Sequence, residues 1–139
     1  VLGEMLRRNI LANGVTVAVS DCAIGSGERI LLHGDLDMNC GGTSMFGNGP
    51  TIAEVDSVTL EEFMRVRNIE RVRLLKIDCE GAEYEALTDA VLDRVDYLVG
   101  EFHDAPALAV LGYSAAALKD RCERRLGVSA VRVNIQQMW

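Results

Sequence analysis

The sequence lacks clustered cysteines, and this shortage excludes two kinds of site. Its four cysteines lie far apart and form no C-x-x-C pair: Cys22, Cys40, Cys79 and Cys122. This spacing is typical neither of a zinc site nor of a disulfide framework. Free thiols are usual in a reducing compartment, so we predict that the protein is cytoplasmic.

The sequence also lacks a long apolar run and an excess of basic residues. No run reaches the roughly 18 apolar residues of a membrane span, and no signal peptide opens the chain, so no membrane partner is predicted. Fourteen basic against 21 acidic side chains give a net charge of −7. Because nucleic-acid phosphates are bound by clustered Lys and Arg, this charge argues against a nucleic-acid partner.

The composition of the chain is typical of a globular domain, and the order of its predicted helices and strands is typical of an α/β fold. The 139 residues are 49% hydrophobic and 25% charged, and we interpret residues 1–139 as a single domain. Helices are predicted near 3–14, 59–68, 82–94 and 114–127. Strands are predicted at 15–20, 28–34, 51–58, 71–78, 95–103 and 128–135. Strands that alternate with helices predict a mostly parallel sheet with helices on both faces.

In such a sheet, ligands bind at the carboxyl ends of the strands. The residues that directly follow predicted strands are therefore the first candidates for a site. These are 20–23, 78–81 and 101–104.

The stretch "KIDCEGAEYE" (76–85) places carboxylates at one of these strand ends. Glu83 and Glu85 fit the acidic first turn of a helix, which the helix dipole favours. Asp78 and Glu80 are predicted to face the crevice, and Gly81 indicates tight passage of the backbone. The carboxylates could act as a general base, bind a positive group or ligate Mg²⁺ or Ca²⁺. No further ligand set is evident in the sequence, so no metal site is predicted.

Three other features of the sequence need an interpretation: the two histidines and a glycine-rich segment. His103 follows Glu101 by two residues on an extended segment, which favours either an acid/base pair or an ordinary structural histidine. His33 lies in a predicted edge strand, where a structural or surface role is expected. The glycine-rich "CGGTSMFGNG" (40–49) lacks the G-K-[ST] of a phosphate loop. We interpret it as a mobile loop over the crevice, acting as a substrate lid.

The longest motif resembles that of a known family. "VTLEEFMRVRNIERVRLLKIDCEGAEYEAL" (58–87) resembles FkbM-type methyltransferases, whose motif reads LLKID-x-EGAE. "NILANGVTVAVSDCAIGSGE" (9–28) and "GGTS" (41–44) resemble the same family. The resemblance implies a Rossmann-like class I fold and S-adenosylmethionine as cofactor. It further implies methylation of an oxygen on a small-molecule acceptor: a sugar, a lipid or a natural product.

The resemblance also implies roles for particular residues. Asp78 and Glu80 would face the methyl-transfer site, and Asp78 would also contact the cofactor. The adenine would lie beside residues at the end of another strand: Asp21, Cys22 and Ala23. His103 would complete the catalytic set.

The same resemblance implies which residues contact the substrate and which elements of the family's fold would precede residue 1. Glu83 and Glu101 are predicted to contact the substrate. The family's first strand and its glycine-rich cofactor loop would precede residue 1, so the chain corresponds to the C-terminal two-thirds of the fold. We therefore expect the chain alone to bind the cofactor poorly or not at all. The alternative function is a non-catalytic α/β binding or dimerisation module. An exposed edge strand at 51–58 would allow a homodimer, and the sequence leaves the oligomeric state open.

Overall fold

A computed structural model describes residues 2–35, 39–47 and 49–138, without the side chains of 2, 35 and 39–42. The side chain of Cys40 and part of the predicted glycine-rich lid therefore lie outside the described residues. The helices are α1 (Leu2–Ala12), α2 (Leu60–Val66), α3 (Glu83–Ala86), α4 (Asp89–Leu92), α5 (Pro106–Val110) and α6 (Ala115–Leu126). The strands are β1 (Ala23–Ile24), β2 (Arg29–Asp35), β3 (Asn39–Ser44), β4 (Thr51–Val58), β5 (Val72–Ile77), β6 (Val95–Asp104) and β7 (Val131–Gln137).

The strands form two sheets, which corrects the expectation of one mostly parallel sheet. β5, β6 and β7 form a parallel sheet in that order. The other four form a mixed sheet in the order β1-β4-β2-β3, in which β2 pairs antiparallel with both β3 and β4. Short connections join β2, β3 and β4, and short connections allow antiparallel pairing, whereas parallel strands need a longer crossover.

Helices α3, α4 and α6 cover one face of the parallel sheet, and helices on both faces stay a prediction. Leu98 and Phe102 of β6 are fully buried in a core that α3, α4 and α6 complete. On the opposite face, Leu74 and Tyr97 lie side by side and are 56% and 47% exposed. A sheet face remains exposed where no element packs against it.

The strand predicted at 15–20 does not form, although its sequence "VTVAVS" is rich in β-branched residues. Val15 and Val17 are each 53% exposed, and the segment pairs with no described strand. The β propensity of a segment expresses how well it packs in a sheet, so it does not create a strand without a pairing partner. Just beyond this segment, Ala23 and Ile24 pair with β4.

The helix boundaries follow the capping residues. Thr59 accepts a hydrogen bond from the backbone N–H of Glu62 at 3.1 Å and so caps the start of α2. Ser114 caps α6 in the same way, through the N–H of Ala117. The predicted helix at 82–94 is divided into α3 and α4, because Thr88 accepts from the N–H of Val91 and begins a new helix.

Among the helices of the described residues, none is both long and apolar enough to cross a membrane.

Candidate functional site

The segment after β5 is bent sharply by two consecutive residues with positive φ. Glu80 has a φ of 51° and Gly81 a φ of 104°. A Cβ at Gly81 would lie 2.8 Å from Cδ2 of Phe46, so glycine is required there by both conformation and space. A glutamate in the left-handed region is uncommon, and such conformations persist where the surrounding structure holds them.

Glu83 holds this segment in place. Its side chain is fully buried at the start of α3. Oε1 accepts the backbone N–H of Cys79 and Oε2 that of Gly81, each at 3.0 Å. The carboxylate thus satisfies two buried donors that the bend would otherwise leave unpaired. Glu83 was predicted to contact the substrate; the structure buries it completely, and its carboxylate contacts the segment after β5.

His103 reaches the same place from β6, the strand next to β5. The residue is 3% exposed. Its Nδ1 lies 2.8 Å from Oε1 of Glu83, and because carboxylate oxygens accept, we assign the proton to Nδ1. Its Nε2 lies 3.6 Å from Oε2 of Glu80.

Asp78, Glu80 and His103 form what we call the carboxylate–histidine cluster. Each offers one ligand atom, and these atoms all lie within 4.8 Å of one another. The structure therefore brings together the three residues predicted to be catalytic. Two neighbouring parallel strands end at the same sheet edge, and this topology explains how residues far apart in sequence meet.

Burial and neighbouring carboxylates raise the pKa of two side chains at the cluster, Glu80 and Cys79. Desolvation raises the pKa of Glu80, the neighbouring carboxylates Asp78, Glu83 and Glu101 raise it further, and His103 opposes them. Desolvation and the Glu83 carboxylate also raise the pKa of the Cys79 thiol. Since the thiolate is the nucleophilic form, Cys79 is unsuited to nucleophilic chemistry.

A cleft of about 330 Å³ opens beside the cluster. Its apolar wall comes from the mixed sheet, and its polar wall from the segment after β5. The lining residues include Ala23, Ile24, Ile30, Leu32, Ser44, Met45, Asp78 and Glu80. Volume and lining are those of a small-molecule site.

The glycine-rich segment forms part of this wall. Its described residues include β3, which pairs with β2. Ser44, 2% exposed, donates a hydrogen bond of 2.5 Å to the backbone carbonyl of Glu80. Its Oγ also accepts the N–H of Phe46 at 3.0 Å. Where it is described, the segment is thus a docked hairpin, not the free loop that the lid interpretation requires.

The remaining predicted residues lie in different places. Asp21 and Cys22 are exposed and do not line the cleft, and Asp21 forms an ion pair with Arg7. Ala23 does line it. Glu101 lies on β6 two residues before His103, on the same side of the strand, and it acts on Glu80 through its charge.

Sequence reasoning missed two supports of the cluster. Tyr84 donates its hydroxyl hydrogen bond to the backbone carbonyl of His103 at 2.7 Å and stacks on Tyr113 with 4.5 Å between ring centroids. Asp104 accepts the N–H of Ala115 at 2.8 Å and so ties the end of β6 to α6. Only the position of Asp104 after a strand could have indicated its role.

A model of the methyltransferase FkbM domain matches residues 6–117. The chain belongs to the FkbM methyltransferase family. The match includes the whole carboxylate–histidine cluster, and it confirms the family resemblance of the KID-x-EGAE motif. Searches of curated proteins and of solved structures found no match. The FkbM family thus identifies the protein as a methyltransferase and leaves its acceptor open.

Proposed function

We propose that this FkbM-family protein transfers a methyl group from S-adenosylmethionine to a hydroxyl oxygen of a sugar, a lipid or a natural product. The observation that carries the proposal is the arrangement of Glu80 and His103 beside a cleft. A carboxylate with a raised pKa and a buried histidine face each other there at 3.6 Å. Groups of this kind remove protons from hydroxyls.

The finer fold assignment is part of the same proposal. We take the parallel sheet of β5, β6 and β7 as part of a Rossmann-like class I fold. Its support is the position of the cluster at the carboxyl ends of parallel strands joined through helices.

The residues around the cleft fit the cofactor. S-adenosylmethionine, when bound, supplies an electrophilic methyl group on a positively charged sulfur. Apolar side chains such as Ile24 and Ile30 suit the adenine, and Ala23 lies at the same wall. The carboxylate of Asp78 lines the opposite wall, where a negative group would attract the positive sulfur.

Glu80 would accept the proton of the acceptor. The cofactor would supply the methyl group to the acceptor oxygen and leave as S-adenosylhomocysteine, and the proton of that oxygen would pass to Glu80. His103 holds the reacting oxygen beside Glu80, because Glu83 fixes its ring. Glu101, next along β6, would contact a further part of the substrate. Alignment of the two reactants and removal of the proton are the two contributions of the protein.

The test measures methyl transfer by the full-length protein to a panel of hydroxylated sugars, lipids and natural products. Release of S-adenosylhomocysteine gives the rate, and NMR of the product identifies a methyl ether. We expect Glu80→Gln to lower the rate about 10²-fold or more, the usual contribution of a general base. Glu61→Gln, on the exposed side of α2, is the matched control and should keep the rate.

Two outcomes would contradict the proposal. An unchanged rate in Glu80→Gln would remove that residue from the mechanism. No methyl transfer to any hydroxyl by the full-length protein without substitutions would favour the alternative, a non-catalytic binding or dimerisation module.

A further inference from the structure

We propose that Asp78, Glu80 and His103 bind one divalent transition-metal ion, such as Mn²⁺, at the edge of the cleft. The proposed use of the ion is to hold the acceptor hydroxyl, and this use rests on the proposed methyl transfer. Asp78 and Glu80 would each bind the ion through one carboxylate oxygen, which leaves the second oxygen of Glu80 for the proton and that of Asp78 for the positive sulfur. The binding itself does not depend on that activity.

The separation of the ligand atoms fits an ion better than a hydrogen bond. His103 Nε2 and Glu80 Oε2 are 3.6 Å apart, beyond hydrogen-bond distance. Two ligands that each lie about 2.1 Å from one ion are separated by about 3.0–3.4 Å in octahedral or tetrahedral geometry. The distance between Nε2 and Oε2 would therefore need to shorten by only a few tenths of an ångström for both atoms to bind one ion. All three ligand atoms lie within 4.8 Å of one another.

The orientation of His103 is an independent indication of a ligand. Its side chain is 4% exposed, and the carboxylate oxygen paired with its Nε2, Oε2 of Glu80, lies 3.6 Å away. Nδ1 is held by Glu83, which leaves the Nε2 lone pair aimed at Asp78 and Glu80. A metal-binding histidine commonly has its other ring nitrogen bound to a carboxylate in this way.

The donor set indicates which kind of ion would bind. An imidazole nitrogen with two carboxylate oxygens suits Mn²⁺, Fe²⁺ or Zn²⁺ better than Ca²⁺ or Mg²⁺, which prefer oxygen alone. Three protein ligands leave further positions on the ion for a hydroxyl or water.

The ligands are accessible, and their charges favour a cation. The side chains of Asp78 and Glu80 are 39% and 26% exposed, and both line the cleft. One cation already lies near: Nζ of Lys76, 70% exposed, is 3.5 Å from Oδ2 of Asp78. An exposed pair of this kind contributes little, so it would yield to a divalent ion.

The experiment titrates the protein with Mn²⁺ and follows free Mn²⁺ by electron paramagnetic resonance. We expect saturable binding of one ion per chain, and loss of that binding in Asp78→Asn, Glu80→Gln and His103→Gln. Each variant has a matched control outside the cluster that should bind Mn²⁺ normally. These controls are Asp120→Asn, Glu61→Gln and His33→Gln.

Glu83→Gln tests the positioning of His103. Loss of an outer carboxylate typically weakens metal binding 10- to 100-fold, and we expect an effect of that size. The melting temperature of each variant, measured without metal, separates a weakened site from a loss of folding.

Clear outcomes would overturn the proposal. Absence of saturable Mn²⁺ binding would do so, and so would unchanged binding in the folded variants of Asp78 and Glu80. Methyl transfer without any Mn²⁺ binding would contradict the metal site alone. Mn²⁺ binding without any methyl transfer would contradict the proposed function alone.

Discussion

The parallel sheet and the mixed sheet meet at the cleft but differ in how they are packed. In the parallel sheet, Leu98 and Phe102 are completely buried beneath helices. Among the described residues of the mixed sheet, Ile30 is the one buried apolar side chain, at 8% exposure. The mixed sheet is held largely by its strand pairing and by polar contacts such as those of Ser57.

This difference in packing matches a difference in what each sheet contributes to the site. The parallel sheet supplies all the charged groups of the cluster, and its dense packing fixes their positions, as precise chemistry requires. The mixed sheet supplies the apolar wall of the cleft. Because apolar contacts are not directional, the side chains of this wall need less exact positions. Substitutions at comparable places in the two sheets should therefore differ in effect.

The largest difference is expected between two glycines in strands. In Gly100→Ala, the new Cβ on β6 would lie 1.7 Å from the carbonyl oxygen of Ile77, and φ is 150°. Backbone atoms cannot move away cheaply, so we expect a loss of about 4 kcal/mol or more in the free energy of unfolding. In Gly34→Ala on β2, the nearest atoms are the side-chain atoms Thr43 Oγ1 at 3.2 Å and Ile52 Cδ1 at 3.4 Å. We expect a loss below about 1 kcal/mol there.

Urea unfolding of both variants measures this difference. Equal losses in Gly100→Ala and Gly34→Ala would show that the two sheets are equally rigid and would remove the basis of the comparison.

An intermediate effect is expected at two serines of the mixed sheet. Ser44 and Ser57 are both buried, and each Oγ donates to a carbonyl and accepts one N–H. Each change to Ala should cost about 1–3 kcal/mol, because buried polar groups lose partners. Only Ser44 bonds to Glu80, whereas Ser57 bonds to Glu28 and Gly27.

Amide hydrogen exchange distinguishes these two variants. Exchange at Cys79 and Gly81 should become faster in Ser44→Ala and remain unchanged in Ser57→Ala. Identical exchange in both variants would mean that the mixed sheet does not support the segment after β5.

The smallest effect concerns two glutamates in different surroundings. Desolvation raises the pKa of Glu85, whose Oε2 is buried without a partner where α3 faces Gly25. The hydrogen bond from Arg65 lowers the pKa of the exposed Glu62. A raised pKa in the folded state gives stability at low pH that is lost as pH rises, and a lowered pKa does the reverse.

The pH dependence of the two Gln variants should therefore have opposite signs. Relative to the unmodified protein, Glu85→Gln should gain stability as pH rises from about 3 to 7, and Glu62→Gln should lose it. Thermal melts across this range measure both. Parallel slopes would contradict the difference in surroundings.

Much of the parallel sheet could be predicted from the sequence, because its signals are local. The apolar run before Asp78 and the caps Thr59 and Ser114 place their elements correctly. Proximity of His103 to the "KIDCEGAEYE" segment follows from two strands ending at one edge, and the structure confirms it. The helix start at Glu83 is also confirmed.

Other features could not be predicted, because they depend on partners that are distant in sequence. The segment 15–20 has strand residues but no strand beside it. Glu83 resembles any acidic residue of a first helical turn until its contacts with Cys79, Gly81 and His103 are known. The docking of Ser44 on Glu80 spans 36 residues and has no local signature.

The cluster lies within one crossover unit, β5 to β6, and this has a consequence for how the protein folds. Glu83 and His103, which fix its geometry, are separated by 20 residues. Closing a loop of that length costs little chain entropy, and contacts at short sequence separation form early. We therefore expect the site to form together with the first folded part of the chain, before the mixed sheet docks. Changes at the cluster would then alter the rate of folding as well as the chemistry.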